Sequence, residues 1–190
     1  MLRVLVSTLV LLASLSGRDL NAAEDRTSPF AQALRARIEA RQADRQFACQ
    51  GELICGIALI PEFYATRGFA PAWSSAQGPT PQALALLEEI GQAEEDGLAP
   101  DDYHYQRLQE MANRLASSPA GNGPSIIALR ADFDLLMTDA AFLLAAHIVG
   151  GRVNPETIHG AWSAFSHEVD LVELVNEGLE KDRLNQMIQG

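Results

Sequence analysis

Apolar residues recur at helical spacing through most of this chain. The strongest pattern runs from Ser125 to Val149, where Leu129, Phe133, Leu136, Ala140, Leu143 and His147 follow alternating steps of four and three. Leu135, Phe142 and Val149 form a second apolar line, roughly 120 to 160 degrees round from the first at about 100 degrees per residue. A helix with two apolar faces needs two burying surfaces, so a long helix over about residues 125–149 is expected at the centre of the fold. Two arrangements meet that need. If the other helices cover only one face, Leu135, Phe142 and Val149 are candidates for an interface with a partner. If the segments around Trp73 and Trp162 fold back over the second line, the helix is the core of a closed bundle.

The remaining segments also read as helices, and strand alternation is almost absent. Phe30, Leu34 and Ile38, spaced by four, predict a surface helix between Ser28 and Phe47. A short helix over about Ala58 to Arg67 is stopped by Gly68, and an extended stretch leads through Pro71 to Trp73 and the loop Ser74 to Pro79. Thr80-Pro81 gives an N-cap followed by proline at the first helical position. The helix it opens places Leu84, Leu87 and Ile90 on one face and ends near Gly97. Asp101 or Asp102 is the expected cap of the next helix, whose Tyr105, Leu108, Met111 and Leu115 recur every three or four residues. After the long helix, Gly150-Gly151 is a stop, Asn154-Pro155 a further start, and a weaker helical pattern runs from about Val169 to the end. The expected fold class is all-α, an irregular multi-helix bundle around the long helix.

The first residues change the picture of where such a bundle works. One cation, Arg3, precedes an apolar run from Val4 to Leu15 interrupted only by Ser7, Thr8 and Ser14. That run is short of the about 20 residues a membrane-spanning helix needs. It reads as a signal-peptide core, with small residues near Ser16 or Ala22-Ala23 as cleavage sites; a membrane-anchoring or buried helix is the alternative. The expected division is a signal peptide over 1–23, an N-terminal helical and linker segment over 24–53 with the cysteine pair at its end (Cys49 within it, Cys55 two residues beyond), and one helical domain over 54–190. The expected location is the periplasm, with no stable membrane anchor once the signal is cleaved.

Charge removes several classes of partner. Taking Arg3, Arg18 and Asp19 out of 14 basic and 25 acidic residues leaves 12 against 24, with Lys181 the only lysine. Nucleic acid and anionic lipid are held by clusters of Lys and Arg, so neither is an expected partner. Export to an oxidising compartment makes Cys49 and Cys55 candidates for an intramolecular disulfide. Two free buried thiols are the alternative.

Candidate chemistry is thin. His147 lies on the main apolar stripe, where a core histidine with one hydrogen bond is the plain reading. Glu156 and His159, three apart, have the spacing of one half of a di-iron site, but a second Glu-x-x-His is missing. The acidic run Glu88, Glu89, Glu94, Glu95, Asp96, Asp101 and Asp102 holds no base and lacks the alternating ligands of a calcium loop. No serine sits in a Gly-x-Ser-x-Gly turn. No cofactor is expected.

Three segments, in order, carry a resemblance. The first is Phe63-Tyr64-Ala-Thr-Arg67-Gly-Phe69-Ala-Pro71-Ala-Trp73, and the second is Asp96-Gly97-Leu98-Ala-Pro100-Asp-Asp102-Tyr103-His104. The third begins at Asp139 and continues through His147, Gly151-Arg152-Val153-Asn-Pro155 and Trp162. Together, over roughly Ile54 to Leu179, they resemble the non-catalytic scaffold domain of large periplasmic L,D-transpeptidases. In physical terms the aromatics supply large buried surfaces, each worth about 1.5 to 3 kcal/mol, while Gly97, Gly151, Pro71 and Pro155 fix turns. The resemblance implies a helical scaffold whose family keeps catalysis in a separate domain, where the thiolate of a Ser-His-Gly-Cys motif attacks the peptide stem of peptidoglycan. That motif does not occur in this sequence, and both cysteines precede the scaffold segments. The chain is therefore expected to be no enzyme, and its expected partner is an L,D-transpeptidase catalytic domain or another cell-wall protein. A truncated gene product without independent role and a small periplasmic metal- or ligand-binding bundle are the alternative readings.

Overall fold

A computed structural model describes residues 28–44, 47–49, 52–54, 59–118, 123–150 and 170–181, and among them the fold is helical, as expected. Helix α1 (Pro29–Asp44) starts where Ser28 Oγ accepts the backbone N–H of Ala31 at 3.1 Å, with proline in the first turn. It buries Phe30, Ala31, Leu34 and Ile38 along one face. It ends at Asp44 and gives way to a hairpin that the helical pattern did not announce. In it β1 (Phe47–Cys49) pairs antiparallel with β2 (Glu52–Ile54), Phe47 opposite Ile54 and Cys49 opposite Glu52.

Helix α2 (Leu59–Thr66) buries Ile60, Phe63 and Tyr64. A two-residue ribbon follows, β3 (Ser74–Ser75) against β4 (Gly78–Pro79). Helix α3 (Pro81–Gln92) opens as the sequence predicts, with Thr80 Oγ1 accepting the N–H of Ala83 at 3.2 Å. Its buried face differs from the expected one. Ala83, Leu86, Leu87 and Ile90 face the core, whereas Leu84 is 51% exposed.

Two 3-10 turns, Ala93–Asp96 and Pro100–Tyr103, connect α3 to α4 (Tyr105–Ser117). Gly97 closes the first in the left-handed region at φ 73°. The expected capping of α4 by Asp101 or Asp102 is corrected here. Pro100 starts a separate turn that contains both aspartates, and the residue at the N-cap of α4 is His104, at φ 59° and without a side-chain capping bond.

Helix α5 (Pro124–Gly150) is the long central element. It packs against α1, α2, α3, α4, both short strand ribbons and the final helix α6 (Leu171–Glu180). Every residue from Phe133 to Phe142 is buried, so this stretch is surrounded rather than lying on one layer. Helix α6 is capped by Asp170, whose carboxylate accepts the N–H of Glu173 at 3.0 Å. Among the described residues no helix is long and apolar enough to cross a membrane.

Several expected features fall outside the described residues. They are the signal segment, Cys55 and the side chain of Cys49, the side chains of Asp96 and Val149, the start at Asn154-Pro155, and Gly151, Arg152, Glu156, His159 and Trp162.

Candidate functional site

Arg130, Asp134 and Thr138 succeed one another on α5 at steps of four, which places them on one line of the helix. All three are buried, and the line sits inside the core rather than facing water. A buried polar group must find partners or cost free energy, so these residues dictate what packs around them.

Asp134 is fully buried. Its Oδ1 accepts the backbone N–H of Ala72 at 2.7 Å and that of Trp73 at 3.1 Å, and its Oδ2 accepts the Ser74 hydroxyl at 2.5 Å. One carboxylate thus captures three consecutive residues where the stretch after α2 enters β3. Burial pushes its pKa up from 3.8 to about 6, while the hydrogen bonds from Ser74, Ala72 and Trp73 and the Arg130 charge pull it down. The Arg130 guanidinium donates from Nε to Ser74 Oγ at 3.4 Å and lies over the Phe30 ring of α1, 4.9 Å from its centroid.

One turn further on, Thr138 Oγ1 accepts the indole N–H of Trp73 at 2.9 Å and lies 2.8 Å from the Tyr64 hydroxyl. Tyr64 also donates to the backbone carbonyl of Asp134 at 2.9 Å. Both aromatics are fully buried, so their polar ends need these acceptors. Burial, followed by the nearby Asp134 charge, raises the Tyr64 pKa well above its usual value, which keeps the hydroxyl protonated as a donor.

The second polar cluster lies further along α5. The fully buried Asp139 holds His104 Nε2 at 2.9 Å, and His147 Nδ1 meets the Tyr103 hydroxyl at 2.7 Å with the rings edge to face at 5.7 Å. The left-handed backbone of His104 lets adjacent residues reach two points on α5 separated by two turns. A histidine held by a carboxylate can act in proton transfer, but here the His104 side chain is only 10% exposed and fastens a 3-10 turn to the central helix. Among the described residues no three His, Cys, Asp or Glu side chains are grouped as metal ligands.

A family model described as Scaffold domain matches residues 58–190. The chain belongs to the Scaffold domain family. No curated protein and no solved structure gives a significant match.

Within this Scaffold domain the structure brings most of the recognised segments together on α5. Tyr64 and Trp73 come from the first segment, Tyr103 and His104 from the second, and Asp139 and His147 lie on α5 itself. Phe63 is buried against Phe142, Leu98 is buried and Pro71 is partly so; Gly97 and Asp102 lie at the surface. Arg67 turns instead to α6, where its Nη1 donates to Asn176 Oδ1 at 3.3 Å.

Of the candidate interface line Leu135, Phe142 and Val149, the first two are buried, as in the closed-bundle alternative, and the side chain of Val149 lies outside the described residues. Leu135 is 1% and Phe142 2% exposed, and the Phe142 ring meets Phe63 of α2 edge to face at 5.7 Å. Helix α2 therefore packs on Phe142 from within the chain. Sequence reasoning missed Arg130, Asp134, Thr138 and Ser74. The available signal was the polar repeat at steps of four inside an otherwise apolar helix, together with two aromatics whose polar ends required acceptors.

Proposed function

We propose that this Scaffold domain protein is a non-catalytic component of peptidoglycan cross-linking, exported to the periplasm, that supports or docks the catalytic domain of an L,D-transpeptidase. The observation that carries this reading is the use to which the motif residues are put. Tyr64, Trp73, Tyr103, His104, Asp139 and His147 are joined to one another through α5, each serving as a strut between elements. The resemblance to the scaffold domain of L,D-transpeptidases, together with the family match, supplies the cell-wall context. Acyl transfer in that context needs an activated thiolate, and no Ser-His-Gly-Cys motif occurs in these 190 residues.

Incubating the purified protein with tetrapeptide muropeptides tests the non-catalytic half of the proposal. Unchanged chromatographic profiles are expected for the wild type and for the Cys49→Ser, Cys55→Ser double variant. Turnover by the wild type that disappears in the double variant would overturn it. Because Leu135 and Phe142 are interior, the docking face must lie elsewhere on the domain.

A further inference from the structure

Among the described residues, two non-glycine positions have positive φ, and one of them is the bulky Phe69 at 65°. A left-handed aromatic costs about 1 to 2 kcal/mol, and such strain persists only where the surroundings hold it. Here Gly68, at φ 63°, precedes it, and the Phe69 N–H bonds back to the Tyr64 carbonyl at 2.8 Å beyond the end of α2. The result is a half-buried ring whose face lies beneath the Arg35 guanidinium of α1, with Cζ 4.3 Å from the ring centroid.

Stacking of this kind occupies the flat face of a guanidinium and leaves its N–H edge available. Arg35 is exposed and, among the described residues, its ring contact with Phe69 is the interaction it makes. Arg37, two residues along the same helix, instead meets Asp132 at 2.6 Å. On the Phe69 turn itself, Arg67 lies over the Phe63 ring at 5.3 Å, gives Nη1 to the neutral Asn176, and keeps a buried Nε without an acceptor. Each guanidinium therefore lies over an aromatic ring of α2 or of the turn that follows it, and among the described residues neither is paired with a carboxylate, in a chain with 25 acidic residues against 14 basic ones.

We propose that the Arg35–Phe69 stack, with Arg67 on the same turn, is a binding site for the carboxylate of a peptide. A stacked arginine presents the planar pair of donors that matches a carboxylate's two oxygens. The formal charge of −11 repels polyanions, which selects for an occupant with one or two negative charges. The half-buried Ala70 and Pro71 adjoin the stack and offer apolar surface to the rest of such a peptide. The site is independent of the docking reading, since no transpeptidase takes part in it.

The test is a titration of the isotope-labelled full chain followed through its arginine side-chain Nε–H resonances. N-acetylalanine is the probe and N-acetylalaninamide the uncharged control. The Arg35 resonance is expected to shift saturably with the acid and not with the amide, and further than those of the exposed Arg41 and Arg114. Arg35→Gln and Arg35→Lys should each lower the affinity roughly fivefold or more, lysine lacking the planar fork, with the thermal midpoint unchanged. An unmoved Arg35 resonance, equal effects of acid and amide, or wild-type affinity in Arg35→Gln overturns the proposal.

Discussion

Trp73 is tied to Asp134 through its backbone N–H at 3.1 Å, while its indole N–H reaches Thr138, one turn along the same helix, at 2.9 Å. The side chain and the main chain of one residue are thus fixed by two points on α5. Asp134→Ala removes the acceptor shared by Ala72, Trp73 and Ser74 and strands all three donors in the core. The expected cost is about 3 to 5 kcal/mol, the range found when one partner of a buried charged group is deleted. Thr138→Val, nearly the same volume, should cost about 1 to 3 kcal/mol by stranding the Trp73 indole donor, while Tyr64 keeps the Asp134 carbonyl. Denaturant unfolding measures both, and a loss under about 1 kcal/mol for Asp134→Ala contradicts the role assigned to it.

The same carboxyl makes stability depend on pH. Its folded pKa, about 6, lies above the ordinary 3.8, so the folded state binds the proton more tightly than the unfolded chain. The stabilisation this provides is complete below about pH 3.8 and is lost as pH rises through about 6, an effect on the order of 3 kcal/mol at most. Asp134→Asn holds a neutral group there at every pH. The difference in thermal midpoint between the wild type and Asp134→Asn is therefore expected to be larger at pH 4 than at pH 7. A difference that does not vary with pH speaks against the raised pKa.

Phe142→Asp separates a core from a docking face. With Phe142 2% exposed against Phe63, the introduced charge should cost several kcal/mol and unfold the domain. Circular dichroism reads the outcome directly. A thermal midpoint close to that of the wild type would return this line to the surface.

The helical bundle was legible because its strongest signal, the double apolar line of α5, reflects a real requirement for burial on more than one side. Finer features were lost where one pattern admits two readings. Ala83, Leu84, Ala85, Leu86 and Leu87 are five apolar residues in a row, so spacing alone did not reveal that the small Ala83 and Leu86 face the core while Leu84 faces water. Asp102 looks like a helix cap beside Tyr105, yet Pro100 spends it on a separate 3-10 turn and leaves His104 in the left-handed region. Asp134 was hidden for another reason. A charged residue within a helix normally marks the wet face, and only the three-dimensional arrival of Ala72, Trp73 and Ser74 makes its burial tolerable.

The hairpin register sets a condition on the expected cystine. Cys49 stands opposite Glu52 and Ile54 opposite Phe47, which places the Cα atoms of Cys49 and Ile54 about 8 Å apart by strand geometry. A bridge needs Cα atoms within about 6.8 Å, so a cystine requires the Cα of Cys55 to lie closer to that of Cys49 than the Cα of Ile54 does. Oxidation after the proposed export is expected to form it, and mass spectrometry without reductant should show two hydrogens fewer than the dithiol. Two alkylatable thiols in folded, periplasm-derived protein would contradict this.

The most direct measurement of the proposed scaffold role is sedimentation velocity of the purified protein mixed with the catalytic domain of an L,D-transpeptidase. The expected result is a faster boundary containing both proteins, absent when either is run alone. Two independent boundaries at protein concentrations well above the micromolar range of ordinary specific complexes would contradict the docking of a catalytic domain on this scaffold.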